Sequence, residues 1–287
     1  MDLWNIKTVK YLFDKYNCNF KKSLGQNFLV SQWVCPKMVE MAGINEKIGV
    51  LEIGPGVGVL TVELAKKANK VVAIEVDKKL IPLLGETLRD YKNVEVINGD
   101  VLKTDLHKII EEKLSNQDII VCANLPYYIT SPIIMYLLES KLPIKSITVM
   151  VQKEVARRIV AKERTRDISV LSLAIQYYSE PTILFDVASG NFNPQPDVDS
   201  SVINLKLRSQ PAVKVKSEKL FFKVISSAFA QRRKTAVNSI ANSLGLKKDF
   251  VIDLFENVGI DLNKRSENLS MEEFGRISDL LFESKQL

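Results

Sequence analysis

The stretch Gly49-Val-Leu-Glu-Ile-Gly-Pro-Gly-Val-Gly-Val-Leu-Thr61 joins a short run of strand-forming residues to a glycine loop and an amphipathic segment. Similar strand-forming runs recur at 71–75, 94–97, 119–123 and 146–151, and most are separated by stretches with apolar residues at helical spacing. Strands that alternate with helices are typical of a parallel sheet covered by helices. The sequence therefore predicts an open, doubly wound α/β domain whose ligands bind beyond the carboxyl ends of the strands.

The pattern changes after residue 205, where helical spacing extends over 218–244, 248–257 and 270–283. Pro211 and small neighbouring residues interrupt the periodicity, so we place a boundary there. The predicted organisation is a Rossmann-like α/β domain with an N-terminal extension over residues 1–208 and a small all-helical domain over residues 209–287.

Composition excludes several classes of protein. The 287 residues are 46% hydrophobic and 26% charged, values typical of a folded globular protein. The widely spaced Cys18, Cys35 and Cys122 form neither a disulfide framework nor a C-x-x-C metal motif, which indicates reduced thiols in the cytoplasm. No apolar run reaches the roughly 18 residues that span a bilayer, and the first residues carry charges where a signal peptide is apolar. We expect a monomer with no bound metal and no membrane association.

Positive charge is concentrated in the C-terminal third. Residues 206–248 contain eleven Lys or Arg and one acidic residue, whereas the whole chain has a net charge of +6. Six further basic residues lie within 153–166, and five lysines lie within 7–22. This distribution fits a polyanionic partner such as nucleic acid, and it also fits a solvated lysine-rich face.

Three strand ends in succession suit a ligand that contains adenosine. Gly54, Gly56 and Gly58 have the spacing G-x-G-x-G, which differs from the G-x-G-x-x-G fingerprint of dinucleotide sites. This difference favours S-adenosyl-L-methionine over NAD. Glu75 ends the second strand, where a carboxylate can accept hydrogen bonds from ribose hydroxyls. After the third strand, Asp100 can accept a hydrogen bond from the adenine amine, and Val101 can form an apolar wall.

The fourth strand ends in Asn124-Leu-Pro-Tyr127, which resembles the motif of methyltransferases that alkylate the exocyclic nitrogen of a planar base. The lone pair of such a nitrogen is delocalised into the ring. Two acceptors, the Asn124 side-chain oxygen and the Leu125 carbonyl, can hold the two N–H bonds and localise that lone pair, while Pro126 restricts the turn. Tyr127 is expected to stack on a base flipped out of its helix or loop.

Two further segments are candidates for the same site. Phe192 lies on a proline-rich loop and can form a second wall for the base. Near the start of the chain, Gln26 and Asn27 can reach the methionine end of the cofactor, with Leu29 beside them. An inert loop is the alternative for the Phe192 segment, and the residues alone assign neither segment to the site.

Taken together, six segments resemble successive signatures of the bacterial small-subunit rRNA adenine dimethyltransferases, the KsgA or RsmA family. These segments are Lys-Ser-Leu-Gly-Gln-Asn-Phe-Leu (22–29), Glu-Ile-Gly-Pro-Gly-x-Gly-x-Leu-Thr (52–61), Asn-Leu-Pro-Tyr-Tyr-Ile-Thr (124–130), Val-Gln-Lys-Glu-Val-Ala (151–156), Phe-x-Pro-x-Pro-x-Val-x-Ser (192–200) and Phe-Ala-Gln-Arg-Arg-Lys-Thr (229–235). Residues 267–274 extend the match, so the resemblance covers nearly the whole chain.

The resemblance implies a Rossmann-like methyltransferase domain and a helical domain that helps to dock on the pre-30S particle. It implies transfer of four methyl groups from S-adenosyl-L-methionine, with S-adenosylhomocysteine as product, to two adjacent adenosines in a terminal hairpin loop of 16S rRNA. By the pattern of the family, the cofactor site contains Gln26, Asn27, Leu29, Gly54, Gly56, Glu75, Asp100, Val101 and Asn124. The target base is surrounded by Asn124, Leu125, Pro126, Tyr127 and Phe192, and the rRNA backbone is contacted by Arg232, Arg233 and Lys234.

The chain departs from the family at few positions. Asp197 stands where a basic residue is common, and residues 165–167 lack a frequent Tyr-Gly pair. These departures affect expected rRNA contacts and leave the catalytic motif intact. We expect the lone His107 to be an ordinary residue of a surface helix.

Three rival functions are less well matched. Macrolide-resistance enzymes, which methylate large-subunit rRNA, usually carry Asn-Ile-Pro-Tyr, whereas this chain has Leu125. A non-catalytic ribosome assembly factor would not need the complete set of transfer motifs. A DNA adenine methyltransferase would share Asn124 and Tyr127 but has no reason to carry the C-terminal signature.

Overall fold

The computed structural model describes residues 1–18 and 27–286, which divide into two compact units. The sheet unit consists of residues 1–156 and 181–207, and the helical unit consists of residues 157–180 and 208–287. The boundary predicted at 208 lies next to one of these crossings. The chain also passes from one unit to the other after residues 156 and 180. Residues 157–180 belong to the helical unit because their side chains pack into its core.

The predicted α/β class is confirmed. The described residues form the strands β1 Phe28–Leu29, β2 Ile48–Ile53, β3 Lys70–Glu75, β4 Val94–Asn98, β5 Asp118–Asn124, β6 Ser146–Gln152, β7 Ser179–Val187, β8 Phe192–Asn193 and β9 Ser200–Leu207. They form the helices α1 Ile6–Lys15, α2 Val34–Met41, α3 Val59–Ala65, α4 Leu80–Thr87, α5 Leu106–Lys113, α6 Thr130–Glu139, α7 Lys153–Ile159, α8 Val170–Tyr178, α9 Glu218–Phe229, α10 Ala236–Leu244, α11 Lys248–Val258 and α12 Met271–Ser284.

The main sheet has seven strands in the order β4-β3-β2-β5-β6-β9-β7. Strand β2 pairs in parallel with both β3 and β5, so the chain builds the sheet outward in one direction and then in the other. All six residues of β2 are buried, as expected of a central parallel strand covered on both faces. The carboxyl ends of β2, β3, β4 and β5 therefore meet at one edge of the sheet.

Two strands of this sheet were not predicted. Strand β9 pairs antiparallel with β6 in a seven-residue register from Ser146↔Lys206 to Gln152↔Ser200, and β7 follows β9 at the end of the sheet. β9 reads Ser-Ser-Val-Ile-Asn-Leu-Lys-Leu, and its first four residues are all buried. The sheet is therefore mixed, with a parallel half that holds the predicted strand ends and an antiparallel extension.

The helical unit has its own apolar core. Buried side chains from α9, α10, α11 and α12 pack with residues of the 157–180 segment, and the largest of them include Phe221, Phe255 and Phe274. The predicted helix over 218–244 is two helices, because the chain turns at 230–235 before Thr235 caps α10 by accepting from the Asn238 N–H. No helix among residues 1–18 and 27–286 is both long and apolar enough to cross a membrane.

Candidate active site

The loop after β2 is shaped by glycines in the left-handed backbone region. Gly54 has φ +68°, and nothing lies within 4 Å of the position that its Cβ would take, so a ligand can approach this backbone directly. Gly58 has φ +92°, and its Cβ would lie 3.2 Å from Leu88 Cδ2. The first glycine therefore opens space for a ligand, and the third allows close packing at the start of α3.

Glu75, at the end of β3, is anchored beside this loop. Its Oε2 accepts a hydrogen bond from the Gly56 N–H (3.3 Å), and its Oε1 accepts one from the Asp77 N–H (2.7 Å). The side chain is buried, and burial raises its pKa although the backbone N–H groups oppose that shift. The carboxylate is thus fixed between the first two strand ends.

Glu52 is a second buried carboxyl group at this edge, and the sequence analysis assigned it no role. Its side chain is 1% exposed and lines the same cavity as Gly54 and Glu75, and its Oε2 has no hydrogen-bond partner among the described residues. Burial raises its pKa to about 8, Glu75 adds to the rise, and the Thr61 hydroxyl opposes it. The sequence around Glu52 has the pattern of an ordinary strand, so the burial of this acid becomes evident only in the folded chain.

The thiols beside Glu52 complete its surroundings. Cys35 on α2 and Cys122 on β5 are fully buried, and burial raises the pKa of both thiols well above the usual value, with a further contribution from Glu52. Glu52 and Glu63 add to the rise at Cys35, as does Cys122, and no described cation contributes to the pKa shift of Glu52. Glu52 therefore has an acceptor atom available for a positively charged group.

The turn after β5 brings the predicted nucleophile-holding residues to the cavity. Asn124, Leu125, Pro126 and Tyr127 all line it together with the glycine loop. Within the described residues, neither the Asn124 side chain nor the Leu125 carbonyl is engaged in a hydrogen bond, whereas the Pro126 carbonyl accepts from the Thr130 hydroxyl (3.1 Å). Two acceptors are therefore available next to each other at the end of β5.

An adjoining cavity lies at the ends of β3 and β4. Asp100 and Val101 line it, and it shares Gly54 and Pro126 with the first cavity. Asp100 Oδ1 accepts from the Leu102 N–H (3.1 Å), and its Oδ2 lies 3.7 Å from Lys103 Nζ. The first three strand ends and the Asn124 turn therefore meet around two cavities with shared walls, as the order of the strands predicts.

Asn27 and Leu29 also line the first cavity. Asn27 precedes β1 and Leu29 ends it, and the two residues of β1 pair antiparallel with β8. A Cβ on Gly56 would lie 3.4 Å from the Phe28 ring, so this segment packs against the glycine loop. The predicted role of Gln26 concerns a residue outside the described part of the chain.

Phe192 is positioned differently from the other predicted target-side residues. It belongs to β8, its side chain is 4% exposed in the core of the sheet unit, and it does not line either cavity. The predicted contact of this ring with a base needs a side-chain position other than the one seen here. Asn193-Pro194, which follows it, is a cis peptide bond.

One further residue of the site, Tyr128, became evident only in the fold. Tyr128 is 59% exposed and lines both cavities.

Lys153, counted from the sequence as part of a basic cluster, forms an ion pair with Asp186 (2.7 Å) and lies 3.9 Å from Asp199. His107 is exposed on α5, and its Nε2 is 2.8 Å from the Ser140 carbonyl oxygen. In the described chain, no group of three or more His, Cys, Asp or Glu side chains could hold a metal.

The predicted RNA-contacting residues belong to the helical unit. Arg232, Arg233 and Lys234 are all exposed in the turn between α9 and α10. The Arg232 guanidinium donates to the Arg166 carbonyl (3.1 Å), which attaches this turn to the 157–180 segment of the same unit. Residues 165–167, where the sequence departs from the family pattern, are therefore next to the basic turn.

Comparison with known proteins agrees with this geometry. The chain is 48% identical over 288 residues to the ribosomal RNA small subunit methyltransferase A of Bacillus cytotoxicus, covering 99% of each chain. It is 48% identical over 276 residues to the protein of the same name from Alkaliphilus oremlandii, covering 96% of each.

Solved structures give the same result. A dimethyladenosine transferase from Plasmodium falciparum matches 91% of this chain and 98% of its own, with a TM-score of 0.75 and 26% identity. The 23S rRNA methyltransferase ErmE matches 89% of this chain and 100% of its own, with a TM-score of 0.67 and 25% identity. The family model described as ribosomal RNA adenine dimethylase matches residues 17–283. This chain therefore belongs to the ribosomal RNA adenine dimethylase family.

Proposed function

We propose that this protein transfers methyl groups from S-adenosyl-L-methionine to the N6 amines of two adjacent adenosines in the 3′-terminal hairpin loop of 16S rRNA. The observation that carries this proposal is the pair of available acceptors, the Asn124 side chain and the Leu125 carbonyl, at a cavity that also contains the glycine loop. The substrate is the pre-30S particle, the site of action is the cytoplasm, and the enzyme acts as a monomer.

The relatives favour the small subunit over the large one. Proteins named for the small subunit are 48% identical to this chain over nearly its whole length, whereas ErmE, named for 23S rRNA, is 25% identical. Leu125 in the catalytic turn agrees with this choice. The complete transfer motif argues for turnover over a purely structural role in assembly.

The chain offers a fitting residue for each part of the cofactor. Glu75 is suited to the ribose hydroxyls, and Asp100 with Val101 is suited to the adenine. Gly54 and Gly56 allow contact with the backbone, while Gln26, Asn27 and Leu29 are assigned to the methionine end. When bound, S-adenosyl-L-methionine supplies an activated methyl group on a positively charged sulfur.

Glu52 adds a charge of the right sign for this cofactor. Glu52 lines the cavity together with Glu75, its Oε2 is buried without a partner, and a carboxyl group in such surroundings is stabilised in its ionised form by a cation. We assign Glu52 to the positively charged methionine portion.

Asn124 and Leu125 act on the target amine. Their oxygens accept its two N–H bonds, which directs the nitrogen lone pair towards the methyl carbon. The nitrogen then forms a bond to that carbon, the carbon–sulfur bond breaks with its electron pair going to sulfur, and the nitrogen loses one proton. No strong base is needed, because alkylation makes the nitrogen acidic. Tyr127 provides the stacking surface for the flipped base.

The helical unit supplies positive charge for the rRNA backbone. Arg232, Arg233 and Lys234 are exposed on one turn, and the surrounding segment 206–248 has a net charge of +10, from eleven basic residues and one acidic residue. A compact group of exposed cations is suited to contact phosphates.

The direct test is methyl transfer from labelled S-adenosyl-L-methionine to 30S particles that lack the modification. Particles of the 50S subunit and duplex DNA are tested in parallel, and the products are digested to nucleosides. We expect dimethyladenosine from 30S particles alone. Label in 50S particles would indicate a large-subunit enzyme, and tight 30S binding without label would indicate an assembly factor.

Replacement of Asn124 by Ala is expected to lower turnover by roughly 10²-fold or more, because one of the two acceptors for the amine is lost. Binding to 30S particles should be retained. Asn204→Ala is the matched control, since it removes an amide of the same sheet that donates to Thr148 Oγ1 (2.8 Å) away from the catalytic turn. Unchanged turnover in Asn124→Ala would remove Asn124 from the mechanism.

Cofactor affinity is expected to rise with pH through the range in which Glu52 ionises. The pKa of Glu52 is about 8, and its ionised form binds the cation, so affinity should fall about tenfold for each pH unit below 8. Calorimetry in two buffers of different ionisation enthalpy should record release of a proton on binding at pH 7.

Glu52→Gln should weaken binding at pH 9 and remove most of this pH dependence. Glu63→Gln is the control, because Glu63 is paired with Lys66 (2.7 Å) on α3 and does not line the cavity. A pH dependence that survives in Glu52→Gln would assign the proton to another group.

Replacement of Arg232, Arg233 and Lys234 by Ala is expected to weaken binding to 30S particles and to flatten its salt dependence. Removing three phosphate contacts should reduce the slope of log K against log salt by about 2 to 3. The control removes the same charge from the exposed Lys47, Lys67 and Lys92 of the sheet unit. Equal slopes for the two triple variants would make the basic turn an ordinary solvated surface.

A further inference from the structure

Tyr127 is tied to a part of the chain far from its own turn. Its hydroxyl lies 2.6 Å from the Ser200 hydroxyl, 73 residues away in sequence, while its ring lines the cavity beside Asn124. Burial raises the pKa of the Tyr127 hydroxyl, with the Ser200 bond opposing the rise, so the group remains a neutral hydrogen-bonding partner.

Ser200 is held by the sheet. It is the first residue of β9, fully buried, and it is the register partner of Gln152 in β6. The residues on either side are also fastened, because the Lys153 N–H donates to the Asp199 carbonyl (3.0 Å) and the Ser201 hydroxyl donates to Asp186 Oδ1 (2.6 Å). The Ser200 oxygen therefore occupies a position that the strand fixes independently of the catalytic turn.

The next residue shows what such a tether changes. Tyr128 is 59% exposed, and the described chain contains no hydrogen bond from its hydroxyl. Tyr127 and Tyr128 begin the same short 3₁₀ turn, so the turn by itself does not determine where a tyrosine ring lies. The bond to Ser200 gives Tyr127 a second point of attachment, at the far end of its ring.

We propose that Ser200 is a positioning residue for methyl transfer, whose hydrogen bond to Tyr127 fixes the plane of the ring on which the target base stacks. This inference rests on the proposed function. The acceptors Asn124 and Leu125 hold the target nitrogen, and the Tyr127 ring sets the tilt of the base that carries it.

The second methyl transfer to each nitrogen depends on this tether more than the first. Before the first transfer, the amine has two N–H bonds for the two acceptors. That transfer forms one N–C bond and releases one proton, so a single N–H remains to hold the nitrogen. Stacking on Tyr127 then carries a larger share of the orientation, and a ring that tilts freely impairs the second step most.

The test is a double-mutant cycle between Ser200→Ala and Tyr127→Phe. Rates are measured at saturating S-adenosyl-L-methionine on 30S particles that lack the modification, with separate quantification of monomethyl- and dimethyladenosine. We expect each single variant to slow the second transfer up to about tenfold, consistent with loss of one hydrogen bond, and to accumulate monomethyladenosine. The double variant should be no slower than either single variant, because both changes remove the same bond.

Ser201→Ala is the matched control. It removes a neighbouring, fully buried hydroxyl that is bonded to Asp186 and not to Tyr127, so a general loss of packing in β9 appears in it as well. The ratio of monomethyl- to dimethyladenosine should remain that of the unmodified protein. Cofactor affinity, measured by calorimetry, should be unchanged in Ser200→Ala.

The outcomes separate this inference from the proposed function. Effects that multiply in the double variant, or an unchanged product ratio in both single variants, would overturn the role of Ser200 while methyl transfer itself stands. If Ser200→Ala does not fold, Tyr127→Phe alone decides, since it keeps the ring and removes only the hydroxyl. Absence of methyl transfer by the unmodified protein would instead refute the proposed function.

Discussion

The parallel pairing of β2 with β3 on one side and with β5 on the other is the constraint on which the site depends. The strand order reverses at β2. The loops that follow β2 and β5 therefore leave the sheet in different directions, and a crevice opens between them. The glycine loop and the Asn124 turn start from this rigid, buried edge. Their positions therefore follow from backbone pairing in the sheet, before any side chain of the site makes a contact.

Acidic and basic residues are concentrated in different parts of the chain, and the two ligands of the proposed reaction also differ in charge. The cavity contains the buried acids Glu52 and Glu75, although the chain as a whole has a net charge of +6. The excess of positive charge is carried by the C-terminal third. The proposed cationic cofactor thus meets acidic groups in the cavity, and the RNA backbone meets a positively charged surface elsewhere on the chain.

The sequence was sufficient where chemistry and backbone periodicity coincide. Gly54, Glu75 and Asn124 each follow a strand-forming run, so their meeting at one edge could be predicted from topology rules alone. Long-range and antiparallel features were not accessible in the same way. The pairing of β6 with β9, the membership of residues 157–180 in the second unit, and the burial of Phe192 depend on contacts between segments distant in sequence. Glu52 was missed because burial, which gives it an unusual pKa, is a property of the fold.

The separation in sequence between Tyr127 and Ser200 also affects the order in which the parts of the site can form. The described residues of the cofactor side lie between residues 27 and 124, whereas the anchor of the target-side ring is residue 200. During synthesis on the ribosome, the strands that carry the cofactor residues leave the exit tunnel first, and β9 can close on β6 only about fifty residues after β6 has emerged. The nascent chain can therefore assemble the strand ends around Gly54, Glu75, Asp100 and Asn124 before β8 is available to pair with β1 and before Ser200 is available to anchor the Tyr127 ring.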